Sequence, residues 1–409
     1  MESSLTACRA CRSENLVTFL PMGDHPPANM FVRPEDRDKP QPAFPLNTQA
    51  CLDCGLIQVA DQIPAGFFEH YLYVPSGAAT MHTHFDGLAS VLTGLADGGL
   101  VVDIGCNDGL MLAAANGKGA RTLGIDPARN LAEIAAERGV TVETGYFGPD
   151  FAAEMRDKHG PAAVIATSNT LNHIGDLHSF MVGIDRFLAD DGVFVVEVPW
   201  GKKIVETSQF DNVYHEHVSE MSLRSLVKLA AFFGMDVFDV TKLPVHGGSM
   251  RVFFSRKAAG RPIAPIVAEM LADEDAIGMT EAATYAAFAE RVEAIKTDLR
   301  AELSKLKAEG KVVAGYGAPA KGNTLLNYFD IGPEDIAYLV DKNPLKQGLL
   351  SPGKLIPIYG PEKIATDPPD VLLVLAWNFF DEIREQQAAF ENAGGRFLVP
   401  LPHPHFVPA

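Results

Sequence analysis

Val101-Val102-Asp103-Ile104-Gly105-Cys106-Asn107-Asp108-Gly109 leads an apolar strand into a turn bounded by glycines, and Leu110-Met111-Leu112 then opens a helix. Strand, glycine turn and helix in that order begin a βαβ unit. The glycines let a ligand approach the backbone, and the helix N-terminus offers free N–H groups.

A dinucleotide fold presents Gly-x-Gly-x-x-Gly to a pyrophosphate at this place. Here the turn is Gly105-x-Asn107-Asp108-Gly109, and its carboxylate would repel a pyrophosphate but suits a cationic amino or sulfonium group. Leu123-Gly124-Ile125-Asp126 ends the next strand with an acid about 20 residues on, the separation that suits both hydroxyls of a ribose. Glycine turn, internal acid and ribose acid together predict S-adenosylmethionine rather than NAD. The predicted cofactor residues are Asp103, Gly105, Asn107, Gly109 and Asp126. Asn169 joins them from the loop after a later strand, Ala163–Ala166, because ligands bind at the carboxyl ends of parallel strands. His173 lies in the same loop, and either residue is as well suited to capping the next helix.

Working outward, residues from about 66 to 258 alternate strands (Leu100–Ile104, Thr122–Ile125, Val193–Val198, Met250–Phe254) with helices (Met81–Leu95, Asn130–Arg138, Leu177–Phe187, Leu223–Phe233). Residues 259 to 409 open with a charged connecting helix around Thr280–Glu309 and continue as a second α/β unit. Its elements are strand Lys311–Tyr316, helix Lys321–Tyr328, strands Ile336–Val340 and Val371–Leu375, and helix Asp381–Ala393. The fold class is α/β: a small N-terminal module, a central Rossmann-like domain and a C-terminal Rossmann-like α/β domain.

Residues 1 to about 65 are rich in proline and poor in helical periods, so this stretch needs a staple. Four of the five cysteines form two Cys-x-x-Cys pairs, Cys8 with Cys11 and Cys51 with Cys54. Two such knuckles complete a tetrahedral Zn–S4 site, which is structural because no coordination position stays open. The long stretch between them is an inserted loop.

The chain has 409 residues, 52 acidic and 34 basic, and a formal net charge of -18. That balance argues against a nucleic-acid ligand. Met1-Glu2-Ser3-Ser4 lacks the features of a signal peptide, and no apolar run approaches the roughly 20 residues of a spanning helix. A cytoplasmic protein with no membrane partner is expected.

The densest cluster of titratable groups is Asp211-Asn212-Val213-Tyr214-His215-Glu216-His217. Metal ligation, a solvated loop with one capping acid, and acid/base chemistry are the three readings. The lack of His-x-x-x-His spacing or a third acid counts against metal. A neutral histidine held by Glu or Tyr to remove a proton is the reading preferred. Leu243-Pro244-Val245-His246-Gly247-Gly248 and Arg251 offer groups for phosphate or sugar, with a packing role for the glycines equally suited. Gly315-Tyr316-Gly317-Ala318-Pro319-Ala320-Lys321-Gly322-Asn323 follows a strand, opens a helix and carries a lysine, a pattern that suits phosphate. Asp341 ends the next strand as a possible ribose acid or turn cap. Trp377-Asn378 follows another strand, where the ring is placed to stack on a base.

Taken in order, the paired cysteines, Asp-Ile-Gly-Cys-Asn-Asp-Gly, Asn-Thr-Leu-x-His, Tyr-x-Glu-His, Leu-Pro-Val-His-Gly-Gly and Gly-Tyr-Gly-Ala-Pro-Ala-Lys-Gly resemble the three-domain S-adenosylmethionine-dependent C-methyltransferases of nucleotide-linked 4-keto-deoxy-sugars. The resemblance covers nearly the whole chain. It implies that His217 removes a proton next to a ketone, with Glu216 orienting it or binding a substrate group. Tyr214 and His173 would donate to the developing enolate. Tyr71 or Tyr73, in Tyr71-Leu72-Tyr73-Val74-Pro75-Ser76-Gly77, would face the sugar. His246, Lys321, Asn323, Trp377 and Asn378 would meet the nucleotide-linked sugar, with Lys321 on its diphosphate. His215 stands where amino-sugar members carry an acid, which argues against an amino sugar. The expected cofactors are S-adenosylmethionine and structural Zn2+, and the expected state is a monomer or homodimer. The alternatives are a small-molecule O- or N-methyltransferase on the same fold and a zinc-containing nucleic-acid methyltransferase or binder.

Overall fold

The first strand in the computed structural model, Leu16–His25 (β1), pairs antiparallel with Phe44–Cys51 (β2), which pairs with Ile57–Val59 (β3). Residues 5–61, 75–77 and 79–408 are described. Tyr71 and Tyr73 therefore lie outside the described residues. The two knuckles flank this sheet, with Cys51 ending β2 and Cys54 in the turn to β3. Gly55 closes that turn at φ +71°, and a Cβ there would stand 3.0 Å from the Met279 carbonyl oxygen. The fourth strand of the sheet, Ser219–Glu220, arrives from the middle of the chain.

The central unit runs α1 (Ala79–Ala96), β4 (Leu100–Ile104), α2 (Leu110–Gly117), β5 (Arg121–Asp126), α3 (Arg129–Glu137), β6 (Val142–Thr144) and α4 (Pro149–His159). It continues through β7 (Ala162–Ser168), α5 (Leu177–Phe187), β8 (Leu188–Pro199), α6 (Gly201–Glu206), β9 (Ser219–Glu220), α7 (Leu223–Ala231), β10 (Met235–Leu243) and β11 (Ser249–Arg256). Its sheet has the order β10-β11-β8-β7-β4-β5-β6. The chain turns back between β4 and β7, which opens a crevice beyond their carboxyl ends. Successive strand residues feed opposite cores. Val102, Ile104, Ile165, Phe194 and Val196 pack with Phe180, Ile184 and Leu226 from α5 and α7, while Val101, Val164, Val193 and Val195 pack with Leu88, Leu92 and Leu112 from α1 and α2. Asp176 and Ser222 cap α5 and α7 by accepting from the amides of Ser179 and Ser225.

The third unit begins with α8 (Pro265–Ala276) and α9 (Ala282–Ala308). Although highly charged in sequence, α9 is more than a connector. Tyr285, Phe288, Val292, Ile295, Leu299 and Leu303 form an apolar stripe in one core with Leu20, Leu46 and Val59 of the cysteine sheet. Then follow β12 (Val313–Tyr316), α10 (Ala320–Tyr328), β13 (Leu339–Val340), β14 (Ile358–Tyr359), α11 (Lys363–Thr366), β15 (Val371–Val374), α12 (Phe380–Gln386), α13 (Ala388–Asn392), β16 (Arg396–Val399) and β17 (His405–Val407). The sheet order is β14-β13-β12-β15-β16-β17, parallel except at β17. The strand expected over Ile336–Val340 pairs only at Leu339 and Val340, and the helix expected over Asp381–Ala393 breaks at Gln387. No helix among the described residues is long and apolar enough to cross a membrane.

Candidate active site

One cavity of about 1260 Å³ takes its walls from all three units, including Arg9 and Asn29, Asp103 and His217, and Lys321 and Asn378. It exceeds the roughly 300–1,000 Å³ of a typical ligand pocket, leaving room for two reactants.

At the cofactor end, Gly105 bends the chain at φ +77°, where a Cβ would overlap Thr170 Oγ1 at 2.1 Å. Gly109 lies at φ +73° against Ala135, with a Cβ placed 2.9 Å from that side chain. Asn107 also has a left-handed backbone, at φ +51°. Asp126 braces this turn by accepting from the amides of Asn107 (2.9 Å) and Ala128 (2.8 Å). Each oxygen keeps a second lone pair for a ribose hydroxyl. Asn169 sits at φ +52°, donates its amide to the Glu197 carbonyl at 2.8 Å and borders the cavity.

The turn's own carboxylate is not the one that awaits a cation. Asp108 is fully buried, 3.1 Å from Arg138. Asp103, one strand position before Ile104, is the unsatisfied acid: its buried Oδ1 has no partner among the described residues. Burial pushes its carboxyl well up, and the neighbouring Asp126 and Glu197 push further. A bound cation would reverse that shift, so the donor set fits the ammonium and sulfonium of S-adenosylmethionine.

At the reacting end, His217 borders the cavity and its Nδ1 lies 3.0 Å from Glu220 Oε1, an N–H donating to a carboxylate. This corrects the expectation that Glu216 orients His217. Glu216 instead accepts from the backbone and side-chain nitrogens of Asn29, at 3.3 and 2.6 Å, and burial pushes its carboxyl up to about 7. The Tyr214 ring stacks on His217 with centroids 4.1 Å apart, and His173 meets the same ring edge-on at 4.7 Å. Burial, reinforced by the Lys321 charge, drives the His217 pKa well below its usual value, and burial beside His217 lowers His173 to about 3. Both rings are neutral at physiological pH. With the proton on Nδ1, His217 keeps a lone pair on Nε2.

Lys321 borders the cavity from the start of α10. Its buried Nζ has no hydrogen bond among the described residues and lies 5.5 Å from the Trp377 ring centroid. Burial lowers its pKa, against Asp211 and Glu220, which raise it. His246 borders the cavity at φ +54°, its pKa lowered to about 3 by burial and then by Lys321.

Several expected residues have other work. Trp377 donates Nε1 to Asp211 Oδ2 at 2.7 Å and does not line the cavity, so it is no stacking platform, whereas its neighbour Asn378 does line it. Asn323 is buried and donates to the Ala28 carbonyl at 2.8 Å, holding the inserted loop rather than a substrate. His215 borders the cavity, with Nε2 3.0 Å from the Pro45 carbonyl oxygen. Arg251 is paired with Glu197 at 2.7 Å, and His84 takes the other carboxylate oxygen at 2.7 Å. Asp341 repeats the Asp126 arrangement in the third unit, accepting from the amides of Ala318 (2.7 Å) and Asn343 (2.8 Å).

The four cysteine sulfurs lie within 4.8 Å of one another, with Cys8–Cys54 at 3.6 Å and Cys11–Cys51 at 3.5 Å. A tetrahedron with Zn–S near 2.3 Å has edges of about 3.8 Å. The donor set therefore fits zinc. It is the one such ligand group among the described residues, and His215 and Glu216 form no part of it.

The three units match known protein families. Residues 8–67 match a zinc binding domain family, residues 80–240 a methyltransferase domain family, and residues 244–402 the C-methyltransferase C-terminal domain family. The C-methyltransferase NovU of Streptomyces niveus is 39% identical over 98% of this chain and 97% of its own. The ubiquinone biosynthesis O-methyltransferase of Bartonella quintana is 22% identical over 36% of this chain and 65% of its own. Among solved structures, magnesium protoporphyrin IX methyltransferase from Synechocystis with bound SAH is 13% identical over 43% of this chain and 83% of that one, with a TM-score of 0.34. A SAM dependent methyltransferase from Archaeoglobus fulgidus is 12% identical over 43% of this chain and 94% of that one, at 0.37.

Proposed function

The chain belongs to the S-adenosylmethionine-dependent C-methyltransferases with an N-terminal zinc binding domain, and from that premise we propose that it methylates the carbon next to the keto group of a nucleotide-linked 4-keto-deoxy-sugar, with His217 as the base. The observation that carries this reading is the buried His217–Glu220 pair bordering a cavity sized for two reactants. Carbon is a poor nucleophile until a proton leaves it, so carbon transfer needs a base where many transfers to oxygen or nitrogen need less.

His217 Nε2 takes the proton from the carbon, and Glu220 stabilises the imidazolium that forms on Nδ1. The electron pair released from the C–H bond delocalises onto the keto oxygen. Tyr214, His173 and the Lys321 ammonium border the cavity and would stabilise that oxygen. When bound, S-adenosylmethionine supplies an electrophilic methyl on sulfur, which leaves as a neutral thioether once carbon attacks. The keto group then re-forms, and His217 returns its proton to solvent. Lys321 suits the transient oxyanion better than the diphosphate expected of it, since Asp211 and Glu220 would repel a permanent dianion. Burial drives the Glu220 carboxyl well above its usual value, and the Lys321 charge opposes that shift, favouring the ionised form that keeps the proton of His217 on Nδ1. Asn29 and Glu216 supply polar contacts for the sugar ring, with His246 and Asn378 on the opposite wall.

The test is to run the enzyme with carbon-13 methyl-labelled donor and a panel of nucleotide-linked keto-sugars. A new carbon–carbon coupling next to the carbonyl supports the reading, and label on oxygen or nitrogen overturns it.

A further inference from the structure

Arg9 stands between the first two zinc-ligating cysteines, and its side chain borders the same cavity as His217. Its backbone N–H donates to Gln58 Oε1 at 3.0 Å. Its Nη1 donates to the Val59 carbonyl at 2.7 Å and the Val218 carbonyl at 3.1 Å. These bonds fix the guanidinium across the joint between β3 and the loop that carries the base.

The opposite edge is different. Nε and Nη2 are both buried and have no hydrogen-bond partner among the described residues. Only 7% of the residue is exposed, so bulk water does not serve them either. A buried N–H pair left unbonded carries a desolvation penalty that a partner would remove. No knuckle sulfur accepts from either nitrogen, although the nearby Cys8 favours the charged guanidinium. Nor does the neighbouring Glu216, whose carboxylate is held by Asn29.

Two of the other cavity cations are engaged: Lys342 pairs with Glu382, and Lys346 donates to the Ala318 carbonyl beside Asp341. Lys321 is flanked by the charges of Asp211 and Glu220. The Nε and Nη2 hydrogens of a guanidinium point the same way, at the spacing of two oxygens on one carboxylate or phosphate.

We propose that the Nε/Nη2 edge of Arg9 binds an anionic oxygen pair, a carboxylate or a phosphate, on a ligand in this cavity. Two sources have that chemistry: the amino-acid carboxylate of S-adenosylmethionine and the diphosphate of a nucleotide-linked substrate. The second rests on the function proposed above, and the first does not. In either case the zinc knuckle holds a binding group as well as a fold.

The test is calorimetric titration of the zinc-loaded full chain and of Arg9→Lys and Arg9→Gln. The probes are S-adenosylhomocysteine, 5′-methylthioadenosine (the same nucleoside and sulfur without the carboxylate), nucleoside diphosphates and the matching nucleosides. Lysine keeps the charge and can still reach the Val59 and Val218 carbonyls, but it has no fork. Arg9→Lys with wild-type zinc content and Tm is expected to bind one probe class about ten- to a hundredfold more weakly. Loss for S-adenosylhomocysteine but not 5′-methylthioadenosine assigns the carboxylate. Loss for the diphosphates but not their nucleosides assigns the phosphate. If Arg9→Lys binds every probe as the wild type does, or loses carboxylate-free and phosphate-free probes equally, the proposal is overturned.

Discussion

Glu220 reaches His217 across 3.0 Å from a two-residue strand that is paired with the cysteine sheet, with Glu220 opposite Ile57 and Ser219 opposite Gln58. The carboxylate beside the proposed base is thus positioned by a module more than 150 residues earlier in the chain. The cysteine sheet and the proposed proton-transfer site are joined through this strand pairing.

Replacing Glu220 by Gln keeps the volume but lets the amide donate to Nδ1, which moves the histidine proton to Nε2. We expect kcat to fall about 10²- to 10⁴-fold while S-adenosylhomocysteine binds as before. Stopped turnover with an unchanged Kd for S-adenosylhomocysteine checks this. An unchanged kcat would remove Glu220 from the mechanism.

The same geometry makes zinc matter to the chemistry. Cys54→Ser should lower zinc content and Tm, and the loosened β3–β9 pairing should cut kcat about a hundredfold, the cost of a misplacement near 1 Å. Zinc assay, thermal melting and turnover on one preparation are the readouts. Full turnover in zinc-free protein would separate the two sites.

Glu216 gives a pH signature. Its pKa is raised to about 7 from 4.5, so the folded chain binds more protons than the unfolded chain between those values. Stability contributed by protonated Glu216 is fully present below about pH 4.5 and is lost as pH rises through about 7. Glu216→Gln mimics the protonated form. Its Tm relative to the wild type should climb across that window and level off above it, as paired melting curves at several pH values would reveal. A Tm difference independent of pH would contradict the shift.

At the cofactor turn, Gly105→Ala adds roughly 1–2 kcal/mol of left-handed backbone strain and puts a Cβ 2.1 Å from Thr170 Oγ1. Since Thr170 is on the loop that also carries Asn169, the cofactor crevice must deform. Binding of S-adenosylhomocysteine should weaken at least about tenfold, by calorimetry, with wild-type affinity as the opposing result.

Local features are legible in the sequence. The turn at Asp103–Gly109 announces itself because backbone conformation and ligand approach both demand glycine at fixed spacing. The cysteine pairs are legible because thiolate geometry sets their interval. What escaped depends on partners distant in sequence. Glu220 sits only three residues past His217, yet its role follows from pairing with β3. Asn29, in a proline-rich loop with no periodic pattern, could not be matched to Glu216. Trp377 and Asn323 read as ligand contacts in the sequence, but their donors go to Asp211 and the Ala28 carbonyl. Asp108 looked like the cation-binding acid until Arg138, on the far side of the turn, neutralised it. The apolar stripe of α9 was masked by the charges on its outer face.

The central claim is that His217 removes a proton from carbon. The most direct measurement supplies S-adenosylhomocysteine, so that no methyl can move, and follows proton exchange at the carbon beside the keto group in deuterated water by NMR. The wild type should exchange that hydrogen, and His217→Gln, binding S-adenosylhomocysteine equally well, should not exchange it above the uncatalysed rate. Equal exchange by both proteins would contradict the account.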